Sequence, residues 1–83
     1  MQVQIKYFAS VREALGASGE SVSTQAASVG ALRDELLARG DEFESALARG
    51  KALRIALNHT MTDESAALTE GCEVAFFPPV TGG

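Results

Sequence analysis

Ser28-Val29-Gly30-Ala31-Leu32-Arg33-Asp34-Glu35-Leu36-Leu37-Ala38-Arg39-Gly40 occupies the middle of the chain and decides its fold. Ser28 is a good helix N-cap, and Val29, Leu32 and Leu36 follow at i, i+3 and i+7, which places them on one helical face. Glu35 and Arg39 have the spacing of a favourable i,i+4 pair, and Gly40 can end the helix. Asp41, with Glu44 three residues on, signals a second capped helix that carries Phe43 and Leu47 on one face and ends at Gly50.

On both sides of these helices the period changes to two. Before them, Val3, Ile5 and Tyr7 alternate with Gln2, Gln4 and Lys6, which predicts a half-buried strand. Phe8 breaks the pattern as a large apolar residue on the polar side. A short helix over Ser10–Leu15 closed by Gly16 and a weaker strand over Glu20–Gln25, with Val22 its only bulky apolar residue, complete the N-terminal third. After the helices, Leu53, Ile55 and Leu57 alternate with Arg54, Ala56 and Asn58, predicting a third strand. Asn58-His59 suits a tight turn, because Asn tolerates positive φ. Thr60–Thr62 follows as a short strand, residues 63–71 as a loop, and Glu73–Phe77 as the last strand, with Val74 and Phe76 on one face and Ala75 and Phe77 on the other. Pro78-Pro79 ends it, since proline cannot donate to a ladder.

Central helices flanked by strands make an α+β fold with the helical layer on one sheet face. The intervening helices supply a crossover, so the first and last strands can pair in parallel at the centre. That is the β-grasp arrangement of ubiquitin. Val3, Ile5, Tyr7, Leu32, Leu36, Ile55, Leu57, Val74 and Phe76 are the expected core. The chain of 83 residues reads as one domain over 1–78 and a flexible C-terminal tail over 79–83.

Composition narrows the function. The net charge is −4, and Lys and Arg stand singly along the chain, so nucleic acid is not an expected partner: phosphate binding needs clustered cations. No apolar run reaches the ~18 residues of a membrane helix. The lone Cys72 has no internal disulfide partner, which fits a reducing compartment, and a cytoplasmic protein without membrane contact is expected. No metal-ligand spacing and no Gly-rich phosphate loop is present, so no bound metal or cofactor is expected. His59 reads as a solvated turn residue and Cys72 as a small apolar filler.

The end of the chain carries the chemistry. Gly82-Gly83 follows a rigid Pro-Pro and a two-residue spacer, Val80-Thr81. By itself a terminal glycine pair is also what a frayed end looks like. Yet glycine is the thinnest thread a chain can offer, and it can carry an α-carboxylate through a narrow channel. An ATP-using partner would make that carboxylate reactive as an acyl-adenylate. Attack by a lysine then gives conjugation; attack by a persulfide gives a thiocarboxylate.

The segment Glu73-Val74-Ala75-Phe76-Phe77-Pro78-Pro79-Val80-Thr81-Gly82-Gly83 resembles the C-terminal signature of the molybdopterin synthase small-subunit family. Tyr7-Phe8-Ala9-Ser10-Val11-Arg12-Glu13 resembles that family's other marked stretch, and Asn58 after an apolar strand fits as well. Cys72 departs from the pattern, which has an acidic residue after the glycine. The resemblance implies a ubiquitin-like β-grasp sulfur carrier. Gly83, with Gly82 before it, would be adenylated by a ubiquitin-activating-like adenylyltransferase using ATP, converted to a thiocarboxylate with sulfur from a sulfurtransferase, and inserted into the large subunit of molybdopterin synthase. There it would donate sulfur to cyclic pyranopterin monophosphate in a heterotetramer of two large and two small subunits, with the catalytic side chains on the large subunit. The glycyl adenylate and thiocarboxylate would be covalent states of the chain.

Phe8 and Phe77 both fall opposite the core sets of their strands. If those strands are neighbours, the two rings form an apolar patch at the root of the tail, and such patches mark interfaces. Phe8, Arg12, Phe77, Pro78, Pro79, Val80 and Thr81 are therefore the candidate partner-binding residues. A loop or short helix covering the rings is the competing outcome. Other functions compatible with Gly-Gly are a carrier for thiazole synthesis or tRNA thiolation, a protein-conjugating modifier, and a β-grasp interaction module without chemistry.

Overall fold

A computed structural model describes residues 1–79. Eight elements follow in order: β1 (Gln2–Tyr7), α1 (Ala9–Leu15), β2 (Gly19–Ser23), α2 (Val29–Leu37), α3 (Asp41–Leu47), β3 (Arg54–Leu57), β4 (Thr60–Thr62) and β5 (Glu73–Phe77). The strands form one mixed sheet in the order β2-β1-β5-β3-β4. β1 and β5 pair in parallel at its centre, with Gln4 opposite Glu73 and Tyr7 opposite Phe76. The other pairings are antiparallel. This is the β-grasp topology that the strand and helix order predicts.

The core lies between the helices and one face of the sheet. Val3, Ile5, Tyr7, Leu32, Leu36, Ile55, Val74 and Phe76 are all buried, as their spacing predicts. Leu57, expected with them, is half-buried and packs at the margin of the cluster, because β3 ends there in the turn to the edge strand β4. Val11 of α1, Leu47 of α3 and Leu68 of the long loop join the same cluster, and so does Cys72, which is the small apolar filler its composition suggested. Tyr7 stacks on Phe76 with ring centroids 6.5 Å apart.

Several local expectations are corrected. Ser28 caps α2, its Oγ accepting from the Ala31 N–H at 3.2 Å, but the helix stops at Leu37 and not at Gly40. The Glu35–Arg39 pair does not form. Glu35 accepts from the Thr24 hydroxyl instead, and Arg39 reaches Glu20 at 2.7 Å and lies over the Phe43 ring. Tertiary partners outcompete an exposed i,i+4 pair, which is worth only ~0.3–0.5 kcal/mol. Asp41 is the first residue of α3 and not its cap; Gly40 at φ 133° holds that position, and Asp41, Glu42 and Glu44 face the positive end of the helix dipole. The helix ends at Leu47, three residues short of Gly50. α1 begins one residue early at Ala9, and β2 spans Gly19–Ser23.

The loop over 63–71 is anchored, not free. Glu64 and Ala66 carbonyls accept from Gly30 and Val29, at the start of α2, at 2.9 and 3.0 Å. Glu64 also binds two arginines. Arg49 reaches it at 2.6 Å, and Arg33, itself buried, reaches it at 3.4 Å while donating to the Leu47 and Ala48 carbonyls at the end of α3. Burial lowers the Arg33 pKa from its usual value, and the Glu64 charge opposes that shift.

Two stability measurements check this assignment of faces. A Cβ on Gly19 would stand 2.5 Å from the Ile5 carbonyl oxygen. Gly19→Ala should therefore force β1 and β2 apart and lower stability by ~1–3 kcal/mol in urea denaturation. Phe76→Ala, which empties a fully buried site, should cost ~3–5 kcal/mol, and Phe77→Ala markedly less. A larger loss at Phe77 would reverse the faces.

Candidate functional site

The parallel pairing of β1 and β5 also builds the root of the tail. Successive side chains of a strand alternate faces, so Phe77 leaves the core on the side opposite Phe76. Beyond β1, the Phe8 N–H donates to the Phe76 carbonyl at 3.2 Å, which ties the end of β1 to the end of β5. Phe8 is in extended conformation, and Ala9 then takes φ 49°, a left-handed value uncommon outside glycine. This abrupt turn carries the chain into α1 and leaves the Phe8 ring outside, 48% exposed.

Phe8, Ala9, Phe77, Pro78 and Pro79 together line an apolar groove of about 430 Å³. The sequence-predicted residues Phe8, Phe77, Pro78 and Pro79 are thus brought together. Among the described residues no loop or helix covers the two rings, the competing outcome; the first residue of α1 borders the groove without covering it. Arg12 lies one turn into α1, exposed, its N–H directed at the Phe8 carbonyl at 3.4 Å. It flanks the groove without lining it. Val80, Thr81, Gly82 and Gly83 lie outside the described residues.

The same sheet face continues past the groove. Register places Lys6 beside Ala75, Ala75 beside Ala56, and Ala56 beside Met61, in a row across β1, β5, β3 and β4. Ala56 and Ala75 are nearly buried despite facing away from the core, because their short side chains sit between longer neighbours. Met61 is 58% exposed, the largest value among the exposed bulky apolar residues described. Sequence reading assigned Met61 to a strand and gave it no role. The Asn58-His59 turn could have located it: a two-residue hairpin loop fixes the register and sets Met61 opposite Ala56. Asn58 and His59 do adopt positive φ, 50° and 68°. Asn58 Oδ1 accepts from the Glu73 N–H at 2.9 Å, while His59 remains solvent-exposed.

The described residues that line the groove carry no acid–base side chain. The nearest perturbed group is Tyr7, held beneath the sheet; burial, and next the carboxylate of Glu20 that its hydroxyl binds at 2.8 Å, push its pKa above the ordinary phenol value. Among the described residues no group of His, Cys, Asp or Glu side chains is arranged to hold a metal ion. What the described residues offer is an open apolar seat where Pro78 and Pro79 leave the sheet.

Residues 5–83 match the ThiS family. The chain is 43% identical to the molybdopterin synthase sulfur carrier subunit of Escherichia coli over 81 residues, covering 98% of this chain and 99% of that one. It is 38% identical to the protein of the same name from Haemophilus influenzae, with the same coverage. Among solved structures, SAMP1 from Haloferax volcanii superposes with a TM-score of 0.82 at 28% identity and covers the whole of both chains. By sequence over nearly its full length, and by fold, this chain belongs to the ThiS family.

Proposed function

We propose that the chain is the sulfur-carrier subunit of a molybdopterin synthase and that Gly83 is its reactive residue. The near full-length identity to sulfur carrier subunits of that name is the observation that carries this reading. The groove supports it: Pro78-Pro79 leave the centre of the sheet beside an open apolar seat, which suits a partner that receives the tail.

The chemistry follows from the terminus. An adenylyltransferase joins the Gly83 carboxylate to the AMP part of ATP and releases pyrophosphate. A persulfide sulfur supplied by a sulfurtransferase attacks the acyl carbon, and AMP leaves with the bonding pair. A second thiol cleaves the resulting acyl disulfide and leaves a thiocarboxylate. The large subunit then takes in the tail; the thiocarboxylate sulfur forms a bond to a carbon of cyclic pyranopterin monophosphate, and water cleaves the acyl–sulfur bond, leaving the sulfur on the substrate and returning the Gly83 carboxylate. The small chain contributes a nucleophile on an arm and a docking face; the large subunit contributes the catalytic side chains. ATP drives the adenylation and a thiol the cleavage of the acyl disulfide, both of which the cytoplasm provides. Conjugation to a lysine would start from the same adenylate, and the likeness to SAMP1, a small archaeal modifier protein, makes it the second reading.

One added alanine after Gly83 tests the mechanism. An extra residue moves the reactive carbon by up to ~3.6 Å. Misplacement of ~1 Å in such a site can cost about a hundredfold in rate. After incubation with the adenylyltransferase, ATP and a sulfur donor, wild type should gain the mass difference between one sulfur and one oxygen, and the extended chain should gain none. Equal sulfur uptake would refute the mechanism. Phe77→Ala should keep the fold and weaken binding to the large subunit by roughly tenfold or more in calorimetry, as loss of an aromatic anchor does.

A further inference from the structure

The distribution of charge around the groove says what surrounds the seat on the partner. The molecule is anionic overall, with a net charge of −4, yet its charge is unevenly placed. Eight of the eleven carboxylates, Asp34, Glu35, Asp41, Glu42, Glu44, Asp63, Glu64 and Glu70, lie on α2, α3 and the loop over 63–71. Three of the seven cations, Arg33, Arg39 and Arg49, are held in ion pairs with carboxylates.

Lys6 and Arg54 are different. Both are exposed, and neither is in an ion pair among the described residues. Both sit on the open face of the sheet, one on each side of β5: Lys6 is in register with Ala75 and Arg54 with Phe77. β1 and β3 are two strand spacings apart and the two positions are staggered by two residues along β5, so their backbones bracket the end of β5 at about 12 Å. Arg12 adds a third cation beside Phe8, but exposed Glu13 follows it directly and offsets it. Glu73, the carboxylate of β5 itself, lies at the far end of the strand, 3.5 Å from the imidazole of His59. The tail root therefore carries a surplus of positive charge on an acidic protein.

We infer that Lys6 and Arg54 form a cationic rim to the apolar seat, and that the large subunit meets it with carboxylates around the mouth that receives the tail. This rests on the sulfur-carrier reading and names the chemistry of its partner surface. Charges at the rim of an interface act chiefly on the association rate and on its salt dependence. A local cationic patch on an anionic body also orients the approach, so the chain meets an acidic mouth with its tail foremost.

Stopped-flow association with the large subunit, from roughly 50 to 500 mM NaCl, tests this across the range in which exposed charges become screened. The variants are Lys6→Gln/Arg54→Gln and, as control, Lys51→Glu in the exposed loop after α3. Each lowers the net charge by the same amount, since two neutralised cations equal one reversed cation. Wild-type association should slow as salt rises. The double variant should associate about tenfold more slowly at low salt, approach wild type at high salt, and keep its melting temperature; Lys51→Glu should stay within about twofold of wild type. The inference is overturned if Lys51→Glu slows association as much as the double variant, or if wild-type association is unaffected or accelerated by salt. A double variant at wild-type rate, with Phe77→Ala failing to bind, would overturn the cationic rim and leave the carrier reading standing. Wild type failing to bind the large subunit at any salt would refute both.

Discussion

The parallel ladder between β1 and β5 is the constraint on which the rest of the molecule depends. It joins segments almost seventy residues apart, with Gln4 beside Glu73 and Tyr7 beside Phe76. A parallel pair needs a crossover, and the helices between them supply it. Once the pair is fixed, Val3, Ile5, Tyr7, Val74 and Phe76 point to one side and close the core against Leu32, Leu36 and Leu47. Because the strands run the same way, both chains also leave the sheet at the same end. Phe8 and Phe77 therefore come together, and Pro78-Pro79 begin where the apolar groove lies.

The rest of the molecule divides into parts that hold and parts that present. Glu64, with Arg33 and Arg49, ties the long loop to the start of α2 and the end of α3, and Tyr7, Glu20 and Arg39 tie β1, β2 and the chain after α2 in the same manner. These bonds lie on the helical side of the sheet or at its edge. The opposite face carries small and apolar side chains, Ala56, Ala75, Met61 and Phe77, together with the cations Lys6 and Arg54. A scaffold that presents such a face, with no acid–base side chain among the described residues that line the groove, suits the proposal that the chemistry is completed inside another protein.

Much of this was legible in the sequence, because period two and period 3.6 are strong signals over short spans. The strands at Gln2–Tyr7, Arg54–Leu57 and Glu73–Phe77 and the core face of α2 follow directly from alternation and spacing. Phe8 and Phe77 were legible as a pair for the same reason: each is a ring on the wrong face of its strand. Features set by tertiary contact were not. Arg39 ignores Glu35 for Glu20, and Arg33 is buried at the end of a helix fourteen residues away, a role its place on α2 does not announce. Met61, Lys6 and Arg54 gain meaning only from the register that sets them beside Ala56, Ala75 and Phe77. The proposed partner surface was therefore half legible: its two rings stand out in sequence, and the cations beside them do not.

The most direct measurement is the intact mass of the chain purified from its native host, with a digest that isolates the C-terminal peptide. A sulfur carrier should be found in part with one oxygen of the Gly83 carboxyl replaced by sulfur, and that fraction should vanish when the adenylyltransferase gene is deleted. A terminus that is always a plain carboxylate, under conditions in which the host makes molybdopterin, would contradict the assignment of Gly83 as the reactive residue.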